Sequence, residues 1–167
     1  MFSTKNLVVR MLDENDMEDF YQLNSNPEVM RYIRPVKDRD SSTAFLLENI
    51  ALYQHFPLGR FHVSSVETGA FVGLFSVLKM SDRDALHVGY ALMPWAQGRG
   101  WAKEVLQGGL QWLIKHSEEK EFYAITEPAN LASAAVLKKS GFNWLENAVD
   151  RGKNLDVYVI HRSYLEA

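Results

Sequence analysis

The sequence predicts an α/β domain with a mixed, mostly antiparallel central sheet. Three observations predict it: apolar residues that alternate as in strands, a glycine-rich turn between a strand and a helix, and a second strand–helix unit further along the chain. The chain has 167 residues, of which 47% are apolar and 23% are charged. This length and composition predict one globular domain over residues 1–167.

The first third of the chain predicts one strand followed by three helices. The strand covers residues 7–11. The helices are expected to begin at Asp13 or Asp16, at Asn26 with proline in the first turn, and at Ser41 or Ser42, because these residue types cap helix N-termini. The apolar residues expected on the three helices are Met17, Phe20, Tyr21 and Leu23; Val29, Met30 and Tyr32; and Phe45, Leu46, Ile50 and Tyr53.

Antiparallel strands account for most of the remaining chain. A meander of three strands is expected over residues 61–66, 71–79 and 85–93. A terminal hairpin is expected to pair residues 142–146 with residues 155–162.

The stretch from His87 to Ala102 predicts a strand that leads into a glycine-rich turn and then a helix. Pro94 ends the strand, and Gly98 and Gly100 leave the turn without side chains. Free N–H groups at a helix start, together with the positive end of the helix dipole, attract a pyrophosphate. A Cβ would keep the backbone away from such an anion, so the glycines favour a phosphate cradle.

Two well-known phosphate loops do not fit this stretch. A Walker A loop needs a lysine followed by serine or threonine, which is absent here. A Rossmann turn needs a third glycine or alanine where Lys103 stands, and the acidic residues about 20 positions on belong to a charged run. An ordinary tight turn with two glycines remains the alternative.

A second unit begins with an apolar strand over residues 122–125. Asn130 stands where the N-cap of the next helix belongs, and Gly141 stands where a left-handed residue ends that helix. Two sets of residues form a recognisable pair of motifs: Gln97, Gly98, Arg99, Gly100, Trp101 and Ala102 in the first unit, and Asn130, Ser133, Leu137, Lys139, Gly141 and Phe142 in the second. With both motifs, the chain resembles the GNAT superfamily of acyl-CoA N-acyltransferases, and within it the RimJ/RimL branch that acetylates the N-termini of ribosomal proteins.

The resemblance implies a sheet of about seven strands flanked by about four helices, with the two middle strands splayed apart. It also implies acetyl-CoA as a cosubstrate and no metal. The pantetheine arm is expected in the gap, paired with Tyr90, Ala91 and Leu92 and bonded to Asn130. The residues expected to hold the pyrophosphate are Gln97, Gly98, Arg99, Gly100, Trp101, Ala102 and Lys103.

Acetyl transfer needs a neutral amine, a polarised carbonyl and a proton for the departing thiolate. At pH 7 about a tenth of an α-amine is neutral, but less than about a thousandth of a lysine. His87, which stands where the branch usually carries glutamate, is the expected base with an ordinary pKa near 6.5; Glu127 is the second candidate and His62 the third. A half-exposed strand histidine without a chemical role is the alternative for His87.

Many relatives place a tyrosine seven residues after the asparagine to protonate the thiolate, and this chain has Leu137 there. The branch resemblance moves the role to Ser133, whose hydroxyl could instead bond to a carbonyl of its own helix. Lys138 and Lys139 are candidates for the 3′-phosphate, or are solvated surface residues.

The acceptor is expected to be the α-amine of a protein or peptide N-terminus. Candidates for its pocket are Arg10, Arg31, Tyr32 and Arg34, since arginines can select an acidic or peptide acceptor by bidentate contact. A small-molecule acceptor such as an aminoglycoside, a polyamine or an amino-acid-like amine is the alternative, and a non-catalytic acyl-CoA-binding module is another.

Composition limits the remaining possibilities. The absence of cysteine excludes disulfides, thiolate metal sites and a cysteine nucleophile. Without a membrane-length apolar run or a cleavable apolar leader, the protein is expected to be cytoplasmic, as a monomer or homodimer, with no membrane partner. A net charge of -3 argues against nucleic acid as a partner.

Overall fold

The computed structural model describes residues 1–167 and contains one sheet of eight strands. The strands are β1 (Phe2–Ser3), β2 (Leu7–Met11), β3 (Gly59–Ser65), β4 (Phe71–Lys79), β5 (Leu86–Leu92), β6 (Glu121–Thr126), β7 (Asn143–Asp150) and β8 (Lys153–His161). Their order across the sheet is β1-β2-β3-β4-β5-β6-β8-β7. Only β5 and β6 run parallel, which confirms the mixed, mostly antiparallel sheet.

Six α-helices flank the sheet. They are α1 (Met17–Asn24), α2 (Pro27–Met30), α3 (Arg39–Leu52), α4 (Trp101–Leu113), α5 (Leu131–Lys139) and α6 (Arg162–Glu166). Short 3₁₀ turns cover Glu14–Asp16, Tyr53–His55 and Pro94–Ala96. The expected counts of about seven strands and about four helices were therefore low, because the two-residue β1, the four-residue α2 and the five-residue α6 are too short to carry a clear periodic signal.

Several element boundaries differ from the expectation. The N-cap of α3 is Asp38, whose carboxylate accepts the Ser41 N–H at 2.8 Å, so the expected serine caps at Ser41 or Ser42 were wrong. Ser42 instead lies within the helix and is fully buried. The second helix ends at Met30 rather than at Tyr32, and the edge strand β7 continues to Asp150.

The two parallel strands separate soon after they meet. β5 and β6 pair only at Leu86 with Phe122 and at His87 with Tyr123, whereas β5 pairs with β4 along its whole length. Beyond His87 one edge of β5 therefore has no strand partner. This opening, called here the fork, confirms the expected splay of the middle strands.

Each face of the sheet has its own apolar cluster. One cluster packs α4 on the sheet through residues such as Phe75, Leu106 and Leu110, and the other packs α1 and α3 on the opposite face around Phe20 and Leu46. Gly109 lets α4 approach closely, because a Cβ there would overlap the ring of Phe75. The fork thus opens between two helical layers. None of the six helices combines the length and the apolar composition needed to cross a bilayer.

Candidate active site

The turn before α4 presents a row of free backbone donors. Gly98 and Gly100 adopt φ values of 74° and 78°, the left-handed region that favours glycine. None of the backbone N–H groups of residues 98–103 donates a hydrogen bond within the protein, and the first helical bond runs from Glu104 to the carbonyl of Gly100 at 3.1 Å. A Cβ at either glycine would meet no atom within 4 Å. The turn is therefore an open concavity lined with donors at the positive end of a 13-residue helix.

Side chains of the same turn hold its shape. The Gln97 amide donates to the carbonyl of Leu92 at 3.2 Å, so this residue ties the turn to the end of β5. The Arg99 guanidinium lies 5.8 Å and 5.2 Å from the ring centroids of Trp95 and Trp101, and donates to the Trp95 carbonyl. Because Arg99 has no carboxylate partner within 4.0 Å, its charge is free to face an anion.

The second unit closes the other side of the fork. The Asn130 side-chain oxygen accepts the Ser133 N–H at 3.2 Å, as the predicted N-cap of α5 should. The Ser133 hydroxyl makes no bond to its own helix, unlike Ser140, whose hydroxyl bonds to the Val136 carbonyl at 2.8 Å. The back-bonded alternative for Ser133 is therefore not what the structure adopts.

Tyr90 of β5 brings a second hydroxyl to Ser133. Burial raises the pKa of the Tyr90 phenol, and the neighbouring Ser133 side chain partly opposes that rise. Leu137, which stands where relatives carry a tyrosine, is 3% exposed and belongs to the core. The sequence predicts only a backbone role for Tyr90, as a partner of the pantetheine arm. Its spacing with Val88 and Leu92 places the side chain on the face toward α4 but does not indicate that its hydroxyl lies near Ser133.

His87 lies at the last paired position before the fork opens. Its side chain points to the face opposite α4, since it alternates with the buried Leu86 and Val88. Burial and the positive charge of Arg60 lower the pKa of His87 to about 4, although Asp150 opposes the shift. The expected value near 6.5 was therefore wrong, and His87 is neutral at physiological pH.

The other two candidate bases are engaged elsewhere. Glu127, just past the end of β6, forms an ion pair with Lys153 at 2.6 Å. His62 is 4% exposed, its Nε2 lies 3.1 Å from Asp19, and its ring packs on Phe71 at 4.8 Å. His87 is thus the only one of the three candidates that stands at the fork without a charged partner within 4.0 Å.

The expected acceptor residues separate into two groups. Arg10 is held by Asp16 through two bonds of 2.8 and 2.7 Å, and Arg31 is exposed over the ring of Tyr32. Arg34 is half-buried and has no carboxylate partner, so among these three arginines it alone keeps a charge available for a bidentate contact with an acceptor. Sequence reasoning missed Arg60, although a single arginine within an apolar strand is the signal that could have found it. Lys138 and Lys139 are exposed on α5.

The fold and motifs agree with comparisons to known proteins. The family model described as an acetyltransferase (GNAT) domain matches residues 6–143. A curated relative, the uncharacterized N-acetyltransferase YnaD of Bacillus subtilis, is 26% identical over 140 residues, which is 83% of this chain and 80% of the relative.

Solved structures show the same fold at lower identity. An acetyltransferase of the GNAT family from Bacillus anthracis superposes with a TM-score of 0.84 at 20% identity, covering 96% of this chain and 98% of that one. A RimL ribosomal L7/L12 α-N-protein acetyltransferase bound to coenzyme A gives 0.81 at 18% identity and 95% coverage of both chains. A spermidine N-acetyltransferase from Vibrio cholerae, bound to CoA and spermine, gives 0.78 at 18% identity, with 96% and 98% coverage.

Acetyl-CoA is the acyl donor that this family uses. The open row of N–H groups before α4 has the form that a pyrophosphate requires, and the fork between β5 and β6 has the form that an extended arm requires. Both strand–helix units of the sequence lie in the matched region. The chain therefore belongs to the GNAT acetyltransferase family and is an acetyl-CoA-dependent N-acetyltransferase.

Proposed function

We propose that the protein acetylates the α-amine of a peptide or protein N-terminus, by direct attack of the amine on acetyl-CoA in a ternary complex. The observation that carries this proposal is the weak base at the fork. A histidine with a pKa of about 4 is neutral at pH 7, so it can accept a proton but holds that proton poorly.

The pKa of the acceptor amine sets how much a base must do, and an α-amine asks less of it than a lysine or polyamine amine. Moving a proton from an α-ammonium group to His87 costs about 5 kcal/mol, whereas moving it from a lysine or polyamine ammonium group costs about 9 kcal/mol. About a tenth of an α-amine is already neutral at pH 7 and needs no prior deprotonation. An acceptor amine of low pKa therefore depends least on a base as weak as His87.

In the proposed reaction the amine nitrogen attacks the thioester carbonyl, so a C–N bond forms and the C–S bond breaks. The surplus proton on nitrogen goes to His87, directly or through water. The thiolate takes one proton from the neighbouring Ser133 and Tyr90 hydroxyls, and solvent carries the proton from His87 back to them, so that each group regains its starting state. Glu127 is the alternative base, although its ion pair with Lys153 weakens it in that role.

Binding of the donor uses mainly backbone. We assign the pyrophosphate to the N–H groups of residues 98–103, with Arg99, Trp101 and Lys103 around it. The arm is assigned to the free edge of β5 at Tyr90, Ala91 and Leu92, and to the Asn130 amide nitrogen, which is not used in capping. Gln97 shapes the turn through Leu92.

The test is release of free thiol from acetyl-CoA over a panel of N-terminal peptides, aminoglycosides and polyamines. Peptide α-amines are expected to give the highest kcat/KM, and capping the same peptides by prior acetylation should abolish turnover. A clear preference for a polyamine would overturn the proposed acceptor. Absence of thiol release with every amine would overturn the catalytic role itself.

A further inference from the structure

Three cations surround one aromatic ring on the acceptor side of the sheet. Arg34 and Lys37 follow α2, Arg60 lies on β3, and the ring belongs to Phe45 of α3. The two guanidinium carbons and the lysine Nζ each lie 4.8 Å from the centroid of that ring. Arg34 and Arg60 are near enough to each other that the charge of Arg34 lowers the pKa of Arg60.

No carboxylate neutralises this cation cluster. Neither Arg34, Lys37 nor Arg60 has a carboxylate oxygen within 4.0 Å, whereas Arg10, Arg39, Arg83 and Arg162 all have one. The nearby Asp16 is engaged by Arg10, and Asp19 lies against His62. The cluster thus keeps its full positive charge.

Each arginine is instead oriented by a buried amide. Asn49, 1% exposed, accepts from Arg60 at 2.8 Å, and Asn24, fully buried, accepts from Arg34 at 3.0 Å. Both asparagines are themselves fixed by bonds to the Phe45 and Phe20 carbonyls. An amide oxygen sets the direction of a guanidinium without cancelling its charge, so the two guanidinium groups are preorganised for an outside anion.

Most of the arginine donors have no partner. Each guanidinium carries five N–H donors, and the asparagine bond is the only hydrogen bond that either one makes. The Nε of Arg34 is buried with no acceptor at all. Stacking on Phe45 is worth only about 0.5 to 2 kcal/mol per cation and satisfies none of these donors. Packing alone therefore does not account for two half-buried, unneutralised guanidinium groups.

The cluster faces the same side of the sheet as His87. Arg60 pairs with Ser76 of β4, and Ser76 pairs with Gly89 of β5, so these three residues form one row across the sheet, two positions from His87. Gly89 has no side chain, and a Cβ there would reach the Ser76 hydroxyl at 3.0 Å. Only the small residues Ser76 and Gly89 therefore stand in this row between Arg60 and the strand position of the base.

We propose that the acceptor amine carries an anionic group, a carboxylate or a phosphate, which binds Arg34 and Arg60 while its amine lies at His87. This inference rests on the proposed acetyl transfer and specifies its acceptor. The anion can belong to an acidic residue at the start of a peptide or to a small amino acid or amino phosphate. A polyamine is excluded, because its charges would be repelled by the cluster.

The test compares matched acceptors in the wild-type enzyme. One arm uses peptide amides that differ only by Asp or Asn, or by Glu or Gln, at the first or second residue. The other arm uses small amines with and without a carboxylate or a phosphate. Charge-assisted bonds to guanidinium groups predict a kcat/KM at least about tenfold higher for the anionic member of the preferred arm.

Variants locate the effect. Arg34→Gln and Arg60→Gln should bring the anionic-to-neutral ratio toward one, mainly by raising KM for the anionic acceptor, with affinity for acetyl-CoA unchanged. Turnover of the neutral acceptor should stay the same in Arg34→Gln, whereas Arg60→Gln also removes a charge that lowers the pKa of His87. Arg31→Gln is the matched control, because Arg31 is an exposed arginine next to the same segment, and it should leave the ratio intact. A ratio that survives in both Arg34→Gln and Arg60→Gln would place the anion elsewhere.

A further measurement needs no variant. Succinate should inhibit the wild-type enzyme competitively against the anionic acceptor, and succinamide, which has the same shape without charge, should not. Equal turnover of charged and neutral acceptors, or equal inhibition by the two compounds, overturns this inference while the acetyl transfer stands. Absence of thiol release with every acceptor instead overturns the proposed function on which it rests.

Discussion

His87 makes the folded protein sensitive to mild acid. The pKa of His87 is lowered by burial and by Arg60 to about 4, against an ordinary value of 6.5 in the unfolded chain. Between these two values the unfolded chain binds a proton that the folded chain does not, so stability falls as the pH falls through this window and is fully present above it. The full difference corresponds to about 3 kcal/mol, and about 2 kcal/mol of it is lost by pH 5.

Urea unfolding at pH 7 and pH 5 measures this loss. The wild-type protein should lose stability over that interval, and His87→Gln should lose about 2 kcal/mol less, since glutamine does not titrate. His55→Gln is the control, because His55 is exposed in a surface turn and should leave the loss unchanged. Equal losses of stability in the wild type and in His87→Gln would refute the lowered pKa of His87.

The same pKa has a kinetic consequence. If His87 accepts the proton of the attacking amine, kcat/KM should show no acid limb near pH 6.5 beyond the one that belongs to the acceptor amine. Acceptors with different amine pKa values separate the two, since only the limb of the acceptor moves. A fixed limb near 6.5 that disappears in His87→Gln would show that the histidine is solvated during the reaction.

Three other perturbations test the donor side and the frame. Gly100→Val should weaken acetyl-CoA binding by at least about tenfold in calorimetry, because the side chain would fill the open concavity. Gly69→Val is the control: Gly69 has the same left-handed backbone and open surroundings, so this variant should lose similar stability but no affinity for acetyl-CoA. Ser133→Ala should lower kcat by about a hundredfold with acetyl-CoA affinity intact. If the two hydroxyls act as one donor, Tyr90→Phe should lower kcat much less in the Ser133→Ala background than in the wild type, whereas additive losses would show that the two hydroxyls act separately. Tyr53→Phe should destabilise the protein by about 1 to 3 kcal/mol in urea unfolding, because it leaves the Leu12 N–H and the Arg60 carbonyl without partners; an unchanged midpoint would contradict this.

The donor side could be predicted from the sequence because its signals are local. Gly98 and Gly100 indicate a left-handed turn before α4. Asn130 caps the later helix α5, and Gly141 ends α5 with a φ of 97°. Each of these roles depends on the backbone within a few residues. Neighbours in sequence are then neighbours in space, so the pattern translates directly into the backbone geometry of the turn and of the helix ends.

Helix starts were less certain where several capping residues compete. Asp38, Ser41 and Ser42 are all good N-caps by type, and only the packed structure decides among them. Burial of Ser42 against the core places the helix one turn earlier, so that Asp38 becomes the cap. The sequence alone carries no information about that packing.

The acceptor side depends on contacts between distant segments. Arg10 and Arg34 look equivalent in the sequence, yet one is neutralised by Asp16 and the other is not. Arg60 joins Arg34 only because β3 and the segment after α2 meet at Phe45. Likewise the low pKa of His87 arises from the fold, and no local pattern around residue 87 predicts it.

The cation cluster and the base are coupled through charge. Arg60 is partly responsible for the low pKa of His87, and an anion bound at Arg60 would offset its positive charge. An acceptor with a carboxylate or phosphate would then raise the basicity of His87 when it binds, whereas a neutral acceptor would leave the base weak. Arg60 thus favours an anionic acceptor twice, first by binding its anion together with Arg34 and then, once its charge is offset, by leaving His87 a better proton acceptor at the moment when the amine is in place.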